Sequence, residues 1–212
     1  MTGLAGNTFF EGPAGRIEAI LRDAPLPVRR AAIVCHPHPL FGGTMHNKVV
    51  FRMARAFQEA GFAVLRFNFR GTGRSQGTHD DGRGEQEDLR AAVAFIEQKY
   101  EAAEIWLAGF SFGAAVMLRT ACDDGRIGAL VAAGAPVAKY DFSHLIHCRQ
   151  PKLFVQGALD EYGPPAKLRQ FVDRLDEPKT LKIIEAADHF FAGHLDELAQ
   201  TVAEFIAQNS HG

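Results

Sequence analysis

The chain has 212 residues, 47% of them apolar and 23% charged, with a formal net charge of −2. That length holds one ample core rather than two, and the small net charge gives no reason to expect a nucleic acid or an anionic membrane as partner. No apolar stretch approaches the roughly 18 residues of a membrane span. The opening Met1-Thr2-Gly3-Leu4-Ala5-Gly6-Asn7 lacks the charged-then-apolar order of a signal peptide.

Taken in chain order, Thr8–Glu11 and Arg16–Leu21 read as an antiparallel hairpin at a sheet edge, turned by Gly12-Pro13-Ala14-Gly15. Pro25-Leu26-Pro27 then interrupts the pattern. Six short apolar runs follow: Ala31–Cys35, Phe62–Phe69, Ile105–Gly109, Ile127–Ala133, Lys152–Gln156 and Leu181–Glu185. Helical periodicity separates several of them. Val49, Val50, Met53 and Phe57 share one face, as do Leu89, Val93, Ile96 and Tyr100, and then Leu195, Leu198, Val202, Phe205 and Ile206. Strands that are apolar throughout, with helices between them, imply a mostly parallel sheet covered on both faces. The expectation is one α/β domain over residues 1–212.

The three cysteines, Cys35, Cys122 and Cys148, are odd in number and far apart, with no C-x-x-C. This spacing suggests reduced thiols and a cytoplasmic setting rather than a disulfide framework or a zinc site.

In a parallel sheet, sites lie at the C-terminal ends of the strands. Gly109-Phe110-Ser111-Phe112-Gly113 follows one such strand and precedes a helix-like run. G-x-S-x-G in that setting marks a nucleophile elbow, a strained turn that lifts the serine hydroxyl clear of the backbone. The following helix aims its N-terminal N–H groups at the same spot. Serine is a poor nucleophile until a base takes its proton, and the base needs an acid to orient it. His189 follows the last strand on a short loop and comes after the serine in the chain. His194, His211, His144 and His147 are less well placed. For the acid, Asp160 lies just past the strand ending at Gly157, with Glu161 and Asp141 as rivals.

Two oxyanion donors are then required. One is the backbone N–H of Phe112. The second belongs to the loop His36-Pro37-His38-Pro39-Leu40-Phe41-Gly42-Gly43. The prolines have no N–H to give, which leaves His38 first and Leu40 as the alternative. His36, His38 and His46 have a spacing that metals use. No acidic or cysteine ligand lies near them in sequence, so no metal and no cofactor is expected. Arg70-Gly71-Thr72-Gly73-Arg74-Ser75-Gln76-Gly77 lacks the spacing of a phosphate loop and reads as a tight turn beside the site whose arginines are solvated, with contact of Arg70 or Arg74 with an anionic substrate as the alternative. Phe41, Phe110, Phe112, Tyr162, Phe190 and Phe191 lie near these residues in sequence. Phe41, Phe110, Tyr162 and Phe190 are the candidates to line a substrate pocket, although aromatics flanking an elbow often pack beneath it.

Together these motifs resemble the α/β-hydrolase superfamily, and within it the small bacterial cytoplasmic members related to dienelactone hydrolases. The similarity runs from about Ile33 to Ile206. It is carried by His36-Pro37-His38-Pro39 with Gly42–Lys48, Arg66–Gly71, Leu107–Gly113, the Gly157…Asp160 loop and Asp188-His189-Phe190-Phe191. The resemblance implies Ser111 as nucleophile, His189 as base and Asp160 as orienting acid. Dienelactone hydrolases themselves use cysteine where this chain has Ser111, which argues against that activity. Only Gly134 to Pro151 separate the two strands between which many relatives insert a lid, so an open site is expected. The reading is a serine hydrolase of small or extended carboxylic esters or thioesters, monomeric or homodimeric. A peptidase or acyltransferase with the same three residues, and a non-catalytic binding module, are the alternatives.

Overall fold

The computed structural model describes residues 5–122 and 124–210; His211 and the first four residues of the opening segment lie outside this range. Eight strands form one sheet: β1 (Ala5–Gly12), β2 (Gly15–Arg22), β3 (Arg30–Cys35), β4 (Ala63–Phe67), β5 (Glu104–Phe110), β6 (Ile127–Ala133), β7 (Lys152–Gly157) and β8 (Lys179–Ile184). Their order across the sheet is β1-β2-β4-β3-β5-β6-β7-β8. The β1–β2 hairpin is antiparallel and joins β4 antiparallel, and every other pairing is parallel. Five helices accompany the sheet: α1 (Lys48–Glu59), α2 (Arg83–Lys99), α3 (Phe112–Ala121), α4 (Pro165–Asp173) and α5 (Leu195–Asn209).

Strand residues alternate between two cores, which is why both parities are apolar. In β3, Ala31, Ile33 and Cys35 face the core built with α2 and α3, whereas Ala32 and Val34 face the core built with α1 and α5. The sheet is therefore covered on both sides. The polar setting of the edge explains the weaker pattern of β8, where only Ile184 is buried.

Three details differ from the sequence reading. β4 ends at Phe67, not Phe69. Beyond it, the Asn68 side chain accepts the Met45 N–H (2.9 Å) and donates to the Glu18 carboxylate (2.8 Å), while the Asn68 N–H still donates to Glu18 O (2.9 Å). Helix α4 was not anticipated, since it buries only Leu168 and Val172 and starts directly after Pro164. Tyr100 is the residue that ends α2 and not part of it.

The expectation of three reduced thiols is corrected. Cys122 and Cys148 are joined in a disulfide, with Cα atoms 5.4 Å apart. The end of α3 packs against the short helical turn Ser143–Leu145, and this brings together two residues that are 26 apart in sequence. Spacing along the chain does not encode that contact. Cys35 remains free and buried, and burial pushes its thiol well above the ordinary range, which makes it unreactive.

Candidate active site

Ser111 sits between β5 and α3 with φ 55° and ψ −117°. A non-glycine residue at positive φ is strained, and here the strain projects the hydroxyl away from the sheet. The two flanking glycines are sterically required. A Cβ on Gly109 would lie 2.5 Å from the Gly113 carbonyl. One on Gly113 would lie 2.5 Å from the carbonyl oxygens of both Cys35 and His36. The Ser111 N–H donates to Ala133 O (3.0 Å) and its carbonyl accepts from Ala115 (3.0 Å), which locks the turn.

The loops after β7 and β8 bring Asp160 and His189 to the same place. His189 Nε2 is 2.9 Å from Ser111 Oγ, and His189 Nδ1 is 2.7 Å from Asp160 Oδ2. Asp160 is 2% exposed. Its other contacts all donate to it: Gln156 Nε2 (2.7 Å), the Tyr162 N–H (2.8 Å) and the Gly163 N–H (3.0 Å). Four donors in all satisfy this buried carboxylate and fix its direction. Such an acceptor requires the proton on Nδ1 of His189, which leaves Nε2 as the acceptor facing the hydroxyl. The imidazole lies against Phe110 and Tyr162, with ring centroids 5.1 and 4.7 Å away.

The rival residues lie elsewhere. Asp141 is exposed and closes its own turn by accepting from Ser143 N and Oγ (both 2.9 Å), which hold its carboxyl below the usual range. Glu161 is exposed. His194 precedes α5 and faces Glu197, and His144 and His147 contact Leu118 O and Asp176.

The loop after β3 folds over the serine. Phe41 N and Gly43 N both donate to His38 O, Gly42 N donates to Pro39 O, and Leu40 N donates to His38 Nδ1. The backbone N–H of His38 makes no hydrogen bond to any described residue. The Phe112 N–H opens α3 and so has no acceptor within that helix. Gly43 is required because a Cβ would meet Pro37 O at 2.1 Å. His36 is fully buried; its Nε2 accepts the Phe69 N–H (3.0 Å), and its Nδ1 donates to Pro37 O (2.7 Å). Both ring nitrogens are thus used by the backbone and have no lone pair for a metal, and no metal-binding cluster of three or more such side chains occurs among the described residues.

Above Ser111 is a cavity of about 220 Å³. Phe41, Tyr162 and Phe190 line it and are 83%, 50% and 57% exposed. Phe110 is corrected: it is fully buried and packs under His189, so it supports the imidazole and touches no substrate space. Phe191 is also core. Pro136, Lys139 and Tyr140 complete the wall. They were missed although they follow β6, where the strand-end rule directs attention. The His38 imidazole is harder to protonate than usual because of partial burial, then of the neighbouring His79 and Lys139. Arg70 is not solvated as expected but pairs with buried Asp88 (2.7 Å), whereas Arg74 is exposed as expected, its guanidinium over Phe9. The loop they bracket is a structural latch, with Ser75 Oγ donating to Asn68 O (2.6 Å).

A family model for the alpha/beta hydrolase fold matches residues 34–149. The chain belongs to the α/β-hydrolase family. An uncharacterized protein of Rickettsia prowazekii is 37% identical to this α/β-hydrolase over 207 residues, covering 93% of this chain and 87% of that protein. A lidless α/β serine hydrolase from Xanthomonas campestris is 37% identical, with a TM-score of 0.88 over 96% of this chain and 94% of its own. An α/β serine hydrolase homologue from Coxiella burnetii is 39% identical, also with a TM-score of 0.88, over 96% and 97% of the two chains. Among the described residues this α/β-hydrolase likewise has no lid. Between β6 and β7 it carries only a short connection with one helical turn. No helix among the described residues is long and apolar enough to cross a membrane.

Proposed function

We propose that this α/β-hydrolase cleaves carboxylic esters or thioesters of small or extended substrates through an acyl-enzyme on Ser111. The observation that carries this reading is the unbroken hydrogen-bonded line Ser111 Oγ, His189, Asp160 at 2.9 and 2.7 Å. His189 Nε2 takes the hydroxyl proton as Oγ attacks the carbonyl carbon, and Asp160 stabilises the imidazolium. The N–H groups of Phe112 and His38 receive the oxyanion. His189 returns the proton to the leaving alcohol or thiol. It then activates a water that attacks the acyl carbon, releases the acid and regenerates Ser111.

The open cavity and its exposed aromatic wall suit an acyl or alcohol group that need not be enclosed. The relatives described as serine hydrolases support the same chemistry. The test is rapid-mixing hydrolysis of 4-nitrophenyl butyrate. A burst of nitrophenol equal to the enzyme concentration is expected, with the butyryl group mapped to Ser111. Ser111→Ala should lower kcat by roughly 10⁴- to 10⁶-fold. An unchanged kcat in that variant contradicts the proposal.

A further inference from the structure

A second cavity lies apart from the one above Ser111 and shares no lining residue with it. About 620 Å³ of space opens between β2, β4 and α1, with Arg22, Arg66, Phe51 and Phe62 in its wall. Arg22 of β2 and Arg66 of β4 project from the same sheet face. Arg22 is paired in register with Val64 and Ile20 with Arg66, so the two arginines are diagonal neighbours. Arg66 is only 7% exposed; its Nη1 donates to Met45 O (2.9 Å) and its guanidinium lies 5.4 Å from the Phe51 ring centre. Neither arginine forms an ion pair with a described residue. The acids in the wall are otherwise engaged: Glu59 with Arg55 (2.7 Å), and Asp23 with the Tyr100 hydroxyl. Arg30 of β3 stacks on Phe62 with a buried Nη1 that has no partner among the described residues.

Cations gathered on one partly desolvated face repel each other, and a buried donor without an acceptor costs free energy. An anion entering the cavity relieves the repulsion. Guanidinium forks match the planar geometry of carboxylate and the oxygens of phosphate, and the Phe51 and Phe62 rings offer an apolar face beside them. The volume is that of a small-metabolite site. We propose that this cavity binds an organic anion of metabolite size, its carboxylate or phosphate held by Arg22 and Arg66 and its apolar body against Phe51 and Phe62. The site is separate from Ser111, but Arg66 holds Met45, in the segment that continues from the His38 loop into α1.

The test is calorimetric titration of the Ser111→Ala protein with phenyl phosphate, inorganic phosphate and chloride at matched ionic strength. Saturable binding of one phenyl phosphate per chain is expected, tighter than inorganic phosphate, with no saturable chloride binding. Arg22→Gln should weaken it at least tenfold. Arg22→Lys, which keeps the charge and loses the fork, gives a second reading should the glutamine variant not fold, and weakening of at least threefold is expected there. Absence of saturable binding, equal affinity for phenyl and inorganic phosphate, or wild-type affinity in a folded Arg22 variant each overturns the proposal.

Discussion

Acidification should destabilise this protein through His36 in particular. Burial lowers the pKa of its imidazole from an ordinary 6.5 to about 4, against a smaller opposing effect of the hydrogen bond to Pro37 O. Above pH 6.5 the ring is neutral whether the chain is folded or not, and it contributes no pH dependence. Between 6.5 and about 4 the unfolded chain binds a proton that the folded chain refuses, so stability falls as pH falls. Each pH unit in that window costs about 1.4 kcal/mol, and the whole window about 3 kcal/mol. Below about pH 4 the folded ring is protonated too, and the loss stops growing. The structural meaning is specific, because protonated Nε2 cannot accept the Phe69 N–H. The assay is urea unfolding between pH 7.5 and pH 4, followed by the fluorescence of buried Trp106, the sole tryptophan. His36→Asn is the reference: it is less stable at every pH, but that position no longer titrates. Carboxylates contribute alike to both proteins and subtract out. The wild type should lose about 3 kcal/mol more than the variant across the range. Parallel pH dependences would refute the reasoning.

Two further outcomes follow from the same geometry. His38 has φ −54°, which proline adopts readily, so His38→Pro deletes the free N–H with little backbone change, whereas His38→Ala keeps it. The proline variant should have a kcat about 10²–10³-fold below that of the alanine variant on the same ester, and equal rates would remove His38 from the oxyanion site. The Cys122–Cys148 link joins residues 26 apart, so its reduction should lower stability by about 3.5 kcal/mol. Thiol counting after denaturation without reductant should find one thiol, Cys35, and a count of three would contradict the link.

The fold was legible where burial on both faces made a strand apolar at every position, as in β3, β5 and β6. It was less legible where only a few positions are buried. Helix α4 commits two side chains to the core, too few for a helical period to stand out. At the candidate site, Ser111, Asp160 and His189 stood out because each follows the C-terminal end of a strand, and the structure brings the three within hydrogen-bonding distance. Phe110 was misplaced because adjacency to the elbow does not say which side of the strand a ring occupies. Lys139 and Tyr140 reach the cavity through a loop whose path depends on tertiary packing, as does the meeting of Cys122 with Cys148. Arg22 and Arg66 became neighbours only once the register of β2 on β4 was known.

The central claim is that Ser111 is an activated nucleophile, and a fluorophosphonate probe addresses it most directly. Intact-mass and peptide analysis should show one adduct per chain, on Ser111, forming far more slowly in His189→Ala. A folded protein that takes up no label, or takes it up elsewhere, would contradict the account.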